Sequence, residues 1–289
     1  MSLDKPFSGG SQIHALRKRL MEQTKWSISS ELSSKDAHVI RAVQTSKNLE
    51  AIYNLLFEQA LEWYALHFPE IRQLVRDPQN VLGLIVRGGS RGKITTDVLK
   101  QFYTDEYSIT RVLEAAQKSA GGEMEERALK AIQGVAQTAL DIKKEQLKLT
   151  DYVVRQMMEI APNFSELATP TIAAQLLSKA GSLKHLAELP GSTIQVMGAE
   201  EALFSHLKTK TKPPKHGYLF NHPLVKPLPK HARGRMARTL AGKLAICIRV
   251  DMFGKKRVVE EYLPKLQALS KKLAKTNPRV RKPFVPRRK

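Results

Sequence analysis

The side chains best suited to chemistry in this sequence are cations, and they gather late in the chain. Lys208, Lys210, Lys212 and Lys215 lie close together in a proline-bearing stretch. Leu228-Pro229 then opens a predicted helix from about Lys230 to Val250. One of its faces carries Arg235, Arg238, Gly242 and Arg249, and another carries Met236, Leu240, Leu244 and Cys247. A helix with an apolar stripe turned inward and an arginine stripe turned outward can track phosphates, because each neutralised phosphate releases condensed counterions. From Lys208 to Lys289 the chain has 24 Lys and Arg against Asp251, Glu260 and Glu261. That stretch therefore holds the whole net charge of +21, and residues 1–207 are neutral. Nucleic acid is the usual partner of such a surface.

Other chemistries fit less well. Arg87 to Lys93 (RGGSRGK) has the look of a phosphate loop, but the pattern needs Gly at position 87 and Ser or Thr at position 94, where Arg87 and Ile94 stand. His216, His222 and His231 are neighbours in sequence without the Cys or close His spacing of a zinc site. There is no G-x-S-x-G, and the one cysteine, Cys247, lies between Ile246 and Ile248 as a core residue would. No catalytic residue, cofactor or metal ligand is assigned. Arg249 and Asp251 are close enough in sequence for a structural ion pair, and Tyr218 and Phe220 read as core.

The elements that must carry the basic surface are helical. The opening MSLDKPFSGG has no signal-peptide pattern and no apolar run could span a bilayer, so the reading is a soluble intracellular protein. Residues 1–10 read as mobile and Gln12 to Lys25 as a short basic helix. Ser33-x-x-Asp36 resembles a capping box before a helix that runs to His67 and is ended by Pro69, with Val39, Val43, Ser46, Leu49, Tyr53, Leu56, Ala60 and Trp63 at helical spacing. Asp77-Pro78 opens a short helix to Val86, and Thr95 or Thr96 caps another through Tyr103. A second long helix is predicted from about Tyr107 to Thr150, kinked at Gly121-Gly122. Beyond it the helices shorten: Thr169-Pro170 starts one, Gly181 ends it and Ser182 caps the next. The expected fold is all-α, a long antiparallel coiled-coil hairpin followed by a compact, mainly helical domain. Its parts would be a short segment 1–32, a coiled-coil dimerisation domain 33–150 with a middle insertion, a second domain 151–270 and a disordered basic tail 271–289.

Long segments of the second domain resemble the Nop domain of box C/D ribonucleoprotein core proteins: APNFSELA (161–168), KAGSLKHLAELPGSTIQVMGAEEALFSHLK (179–208), PPKHGYLFNHPLV (213–225) and LPKHARGRMARTLAGKLAICIRVD (228–251). LLFEQALEWYALHFPEIRQLV (55–75) resembles the same family's coiled coil, and the short basic tail is similar to that of archaeal members. The resemblance implies a non-catalytic scaffold in guide-directed RNA 2′-O-methylation and rRNA processing. It would recognise box C/D guide RNA at a kink-turn together with a small ribosomal-type kink-turn-binding protein. It would pair through its coiled coil as a homodimer or with a paralogue. It would be cytoplasmic in an archaeal-type cell and nucleolar in a eukaryotic one.

The RNA-facing positions implied by the resemblance are Lys215 and His216 in a loop, Arg233, Arg235 and Arg238 on the basic helix, and Gln175 and Lys179 on the helix from Thr171 to Ala180. Charge adds Lys208 and Lys212. The family's Gly-Ala-Glu-Lys and Ala-Leu-Phe-Arg patterns, near the guide–substrate duplex, end here in Glu201 and Ser205, which removes two cations from that contact. Family members place a further domain, which recruits the methyltransferase fibrillarin, ahead of the coiled coil, and residues 1–32 resemble only its end. Fibrillarin recruitment by this chain is therefore left open. So are two alternatives, a coiled-coil adaptor or splicing-factor-like Nop protein without a methylation role, and a charge-driven nucleic-acid packaging protein.

Overall fold

The computed structural model describes residues 9–32, 34–209, 211–254 and 256–275. Among these every regular element is helical. The first seven α-helices are α1 (Gly9–Leu32), α2 (Lys35–Tyr64), α3 (Ile71–Leu74), α4 (Pro78–Gly88), α5 (Thr96–Leu99), α6 (Glu106–Gln117) and α7 (Glu126–Ile160). Seven more follow: α8 (Pro162–Ala168), α9 (Pro170–Ala180), α10 (Leu183–Glu188), α11 (Gly191–Val196), α12 (Glu200–Thr209), α13 (Lys230–Phe253) and α14 (Val259–Ala274). Turns of 3-10 helix occupy Arg91–Lys93 and Tyr218–Asn221. Residues 44–152 form one compact unit, and the described residues before and after that stretch form the other.

In the unit 44–152, α7 buries Leu129, Ile132, Ala136 and Ala139 at alternating three- and four-residue steps, which places them on one face. Tyr53, Ala60, Leu61 and Tyr64 of α2 join the same core. The Lys143 ammonium lies 5.2 Å from the Tyr53 ring centre. The middle insertion opens as expected at α4, where Asp77 accepts from the Gln79 N–H with Pro78 in the first turn; α6 is capped by Asp105, which accepts from the Ser108 N–H and was not singled out in the sequence. Gln133 of α7 donates to the carbonyls of Ile85 and Val86 at the end of α4.

Several boundaries differ from expectation. The second long helix is two helices, broken between Gln117 and Glu126 rather than kinked. The cause is tertiary: a Cβ on Gly121 would stand 2.1 Å from the His67 carbonyl oxygen, the Gly122 N–H donates to Leu66, and Arg91 donates to the carbonyls of His67 and Gly121. Those contacts draw the backbone out of helical geometry, and α7 then continues past Thr150 to Ile160. At the other helix, α2 stops at Tyr64, whose buried hydroxyl donates to the Gly89 carbonyl at 2.7 Å; Trp63, expected in the seam, is exposed. Thr95 makes no side-chain cap, and α5 ends at Leu99. Arg87 and Gly88 belong to α4, and the loop's Arg91–Lys93 is a 3-10 turn.

In the other unit α13 is central, burying Met236, Leu240, Leu244 and Cys247 as its pattern requires. A Cβ on Gly191 of α11 would stand 3.1 Å from the Gly242 Cα, so the small Ala241-Gly242 pair admits a neighbouring backbone. Gly181 ends α9 in the left-handed region at φ 85°, and the Ser182 hydroxyl caps α10 by accepting from the His185 N–H. Thr169 departs from expectation: it holds φ 71° and makes no cap bond. Arg249 and Asp251 form no pair. Arg249 donates to the carbonyls of Ala187 and Leu189. Asp251 accepts from Asn163 and from the Phe164 N–H. Asn163 Oδ1 accepts in turn from the N–H groups of Val258 and Val259, joining the ends of α8, α13 and α14. Asp36 accepts from the N–H groups of Ala37 and Leu183, while Ser33 lies outside the described residues. At the ends, α1 is longer than the predicted helix, and Lys271 and Lys272 lie in the last turn of α14 instead of a disordered tail. Residues 1–8 and 276–289, part of the expected mobile ends, lie outside the described residues.

Candidate nucleic-acid interface

The loop before the second 3-10 turn is held at its backbone. The Gly217 N–H donates to the Gln195 carbonyl and the Tyr218 N–H to the Met197 carbonyl, at 3.0 and 2.8 Å. Only glycine fits at position 217, where a Cβ would stand 1.8 Å from the Met197 oxygen. The buried Gln195 side chain donates a 2.6 Å hydrogen bond to the Lys215 carbonyl. Lys215 is thus fixed by its main chain while its side chain passes over Gly234 of α13, where an added Cβ would approach it to 3.2 Å. Glycine at position 234 lets the lysine stem lie against the helix and keeps its ammonium free for solvent.

The next residues gather on one ring, with His216 and Arg233 both packed against Phe220. The His216 ring lies on Phe220, centroids 5.0 Å apart and planes 27° apart. The Arg233 guanidinium lies 5.2 Å from the Phe220 centroid, and its Nε donates to the Leu228 carbonyl at 2.6 Å. Burial pushes the His216 imidazole below its ordinary 6.5, and the charges of Arg233 and Lys215 push it further the same way. An approaching phosphate would reverse that effect.

Lys215, His216 and Arg233 are therefore brought together. Arg235 and Arg238 are exposed further along α13, and neither has an acidic partner among the described residues. Arg249, the last of the expected arginine stripe, is engaged with α10 carbonyls. On α9, Gln175 is half-buried and Lys179 is exposed, its ammonium 3.5 Å from Glu200. Burial pushes the Glu200 carboxyl up, but the Gly198 N–H bond and the nearby Lys179 outweigh it and hold the group below its usual range. Part of the Lys179 charge is thus already compensated. Lys208, Lys212, Glu201 and Ser205 are exposed, all but Lys212 on α12, a helix that buries no side chain and leaves Phe204 and Leu207 exposed as well.

Sequence reading did not single out Gln195, and it placed Phe220 in the core. The four-residue spacing of His216 and Phe220 was the available signal for their stack. Gln195 has no such signal, since its partner is twenty residues away. His222 is buried and bonded to the Leu167 carbonyl and the Leu224 N–H. Among the described residues no group of His, Cys, Asp and Glu could hold a metal, and no helix is long and apolar enough to cross a membrane. Burial raises the Cys247 thiol to about 12, which makes it a poor nucleophile.

The sequence pattern of the Nop family, described as a snoRNA binding domain, fibrillarin, matches residues 45–275. An uncharacterised NOP5 family protein of Methanocaldococcus jannaschii is 38% identical over 258 residues, which is 89% of this chain and 62% of that protein. Nucleolar protein 58 of Neurospora crassa is 37% identical over 216 residues, 75% of this chain and 36% of its own length. Nucleolar protein 56 of Dictyostelium discoideum is 34% identical over 222 residues, 75% of this chain and 41% of its own. The chain thus spans less than two thirds of each of these relatives. A crystal structure of a fibrillarin/Nop5p complex aligns with TM-score 0.46 at 24% identity, over 94% of this chain and 87% of that one.

Proposed function

The chain belongs to the Nop family, and from that membership we propose that it is a non-catalytic RNA-binding scaffold of a box C/D ribonucleoprotein. In this reading it recognises a kink-turn RNA already held by a small ribosomal-type protein. The observation that carries it is the joining of His216 and Arg233 on Phe220 with Lys215 laid over Gly234 beside them, continued on the same helix by Arg235 and Arg238, which have no acidic partner among the described residues. Fixed cations on a rigid helix and a pinned loop suit the positioning of backbone phosphates, and the stacked ring suits shape more than base sequence.

Self-association through the long helices belongs to the same proposal. Lys35 paired with Glu159, and Tyr53 under Lys143, support an antiparallel course for α2 and α7. Ile52 and Leu55 on α2 and Leu147 and Tyr152 on α7 remain exposed and support pairing with a second coiled coil, from an identical chain or a paralogue. Service in guide-directed 2′-O-methylation, with fibrillarin as a further partner, completes the reading. Its setting would be the cytoplasm of an archaeal-type cell or the nucleolus of a eukaryotic one.

Cross-linking to a kink-turn RNA carrying the small protein tests the assignment. Cross-links should map to Lys215–His216 and Arg233–Arg238. Cross-links confined to residues 276–289 would contradict it.

A further inference from the structure

Among the described residues Thr169 is the one non-glycine with positive φ. It holds φ 71° and ψ 140°, a region that only glycine enters without strain, and a branched side chain makes the conformation worse. The cause is the joint it makes. α8 ends at Ala168 and α9 begins at Pro170, so a single residue turns the chain between two packed helices. Pro170 in turn disfavours a helical ψ at the residue before it. On one side α8 is held by hydrogen bonds: Asp251 accepts from the N–H groups of Asn163 and Phe164, the Ser165 hydroxyl donates to the Met157 carbonyl, and His222 bonds to the Leu167 carbonyl. On the other side α9 is held by apolar packing, with Ile172, Ala173, Ala174, Leu176 and Leu177 buried. The peptide plane between them is not pinned. Neither the Ala168 carbonyl nor the Thr169 N–H is hydrogen-bonded among the described residues.

We propose that this joint is a loaded hinge: when RNA engages α9, the Ala168–Thr169 peptide plane flips, the φ of Thr169 turns negative, and the helix shifts by about 1–2 Å, the scale of helix shifts at packed interfaces. Both ends of α9 support such a shift. At its start, the strain favours any displacement that lets the joint relax, and strain of this kind gathers at ligand clamps and switch regions. At its end, Lys179 lies with its ammonium 3.5 Å from Glu200 of α12. An exposed pair contributes little and breaks readily, so a phosphate can draw Lys179 away from that acid. The shift also reaches the basic loop, because α9 packs against the 3-10 turn Tyr218–Asn221, which carries Phe220 beneath His216 and Arg233. Strain held in the chain by itself and released in the complex adds to affinity. The inference rests on the RNA-binding reading above.

The test compares the full chain with Thr169→Gly and Thr169→Ala, by thermal unfolding and by binding to a labelled kink-turn RNA that carries the small kink-turn-binding protein. Glycine adopts positive φ without strain, so Thr169→Gly should raise the melting temperature by about 2–4 °C, net of glycine's extra freedom in the unfolded chain. It should also bind the RNA–protein complex about tenfold more weakly, because binding then has no strain to release. Alanine keeps the Cβ and with it the strain, so both values should stay near wild type. A gain in stability joined to a loss of affinity is a signature that a merely structural turn does not give. Raised stability with unchanged affinity in Thr169→Gly would overturn the release, since the strain would then persist in the complex. A Thr169→Gly chain no more stable than Thr169→Ala would overturn the strain itself. Failure of all three proteins to bind would sink the RNA reading and this inference with it, and the unfolding data, taken without RNA, tell that failure from the others.

Discussion

The Gln195 side-chain amide donates to the Lys215 carbonyl across 2.6 Å, tying α11 to the last lysine of the basic loop. Gln195 is buried, so this bond fixes the loop from beneath while the Lys215 side chain stays exposed and His216 is half-buried against Phe220. Gln195→Leu keeps the volume and deletes the donor. Urea unfolding should show a loss of about 1 kcal/mol, the net worth of one hydrogen bond. Affinity for the RNA–protein complex should fall by more than this stability change alone explains, because the loop loses its pose. Unchanged affinity would remove the loop from the interface.

Arg233 and Arg238 should separate structural from electrostatic roles. Arg238→Ala should leave thermal stability unchanged and lower the salt slope of RNA binding by about one unit if it meets one phosphate. Arg233→Ala also loses the Leu228 hydrogen bond and the Phe220 contact, and should cost about 1–2 kcal/mol of stability. Arg233→Lys keeps the charge without the planar fork and should not restore that stability.

RNA binding should strengthen on mild acidification. In the free chain burial, then Arg233 and Lys215, hold the His216 imidazole below 6.5. A phosphate favours the protonated ring and raises that value, so binding takes up a proton in the window between the two. Affinity should rise by about fourfold from pH 7.5 to 6, and His216→Gln should abolish the rise. Folding responds with the opposite sign. A histidine whose folded value is depressed contributes stability that is present above 6.5 and lost as pH falls through the folded value, which unfolding without RNA measures separately.

Asn163 should prove a stability residue. Its amide links Asp251 to the start of α14, and burial raises the Asp251 carboxyl against the pull of the Phe164 and Asn163 hydrogen bonds. Asn163→Ala strands a partly buried carboxylate and two N–H groups, and should cost about 3 kcal/mol in urea unfolding. A loss below about 1 kcal/mol would mean that water replaces the latch.

These residues also mark how far sequence reasoning reached. Met236, Leu240, Leu244 and Cys247 repeat at helical spacing, so the buried face of α13 was legible, and with it the opposite face that carries Arg235 and Arg238. Gly181 and Ser182 were legible because each acts on its immediate neighbours. The break between α6 and α7 was not, since Gly121 is displaced by the carbonyl of His67, more than fifty residues earlier. Trp63 and Tyr64 differ by one position, within the error of a helical pattern, and only the Gly89 carbonyl decides which ring turns inward. Arg249 looked like its neighbours on the stripe until α10 supplied two carbonyls. Local signals survive in sequence, whereas contacts made by distant backbone do not.

The most direct test is fluorescence anisotropy with a labelled kink-turn RNA at fixed salt, with and without the small kink-turn-binding protein. Partner-dependent recognition predicts tight binding only to the RNA–protein complex, weakened by Lys215→Ala and Arg238→Ala. Equal affinity for the kink-turn and for a straight duplex, with or without that protein, would contradict the account and return the chain to a charge-driven nucleic-acid binder.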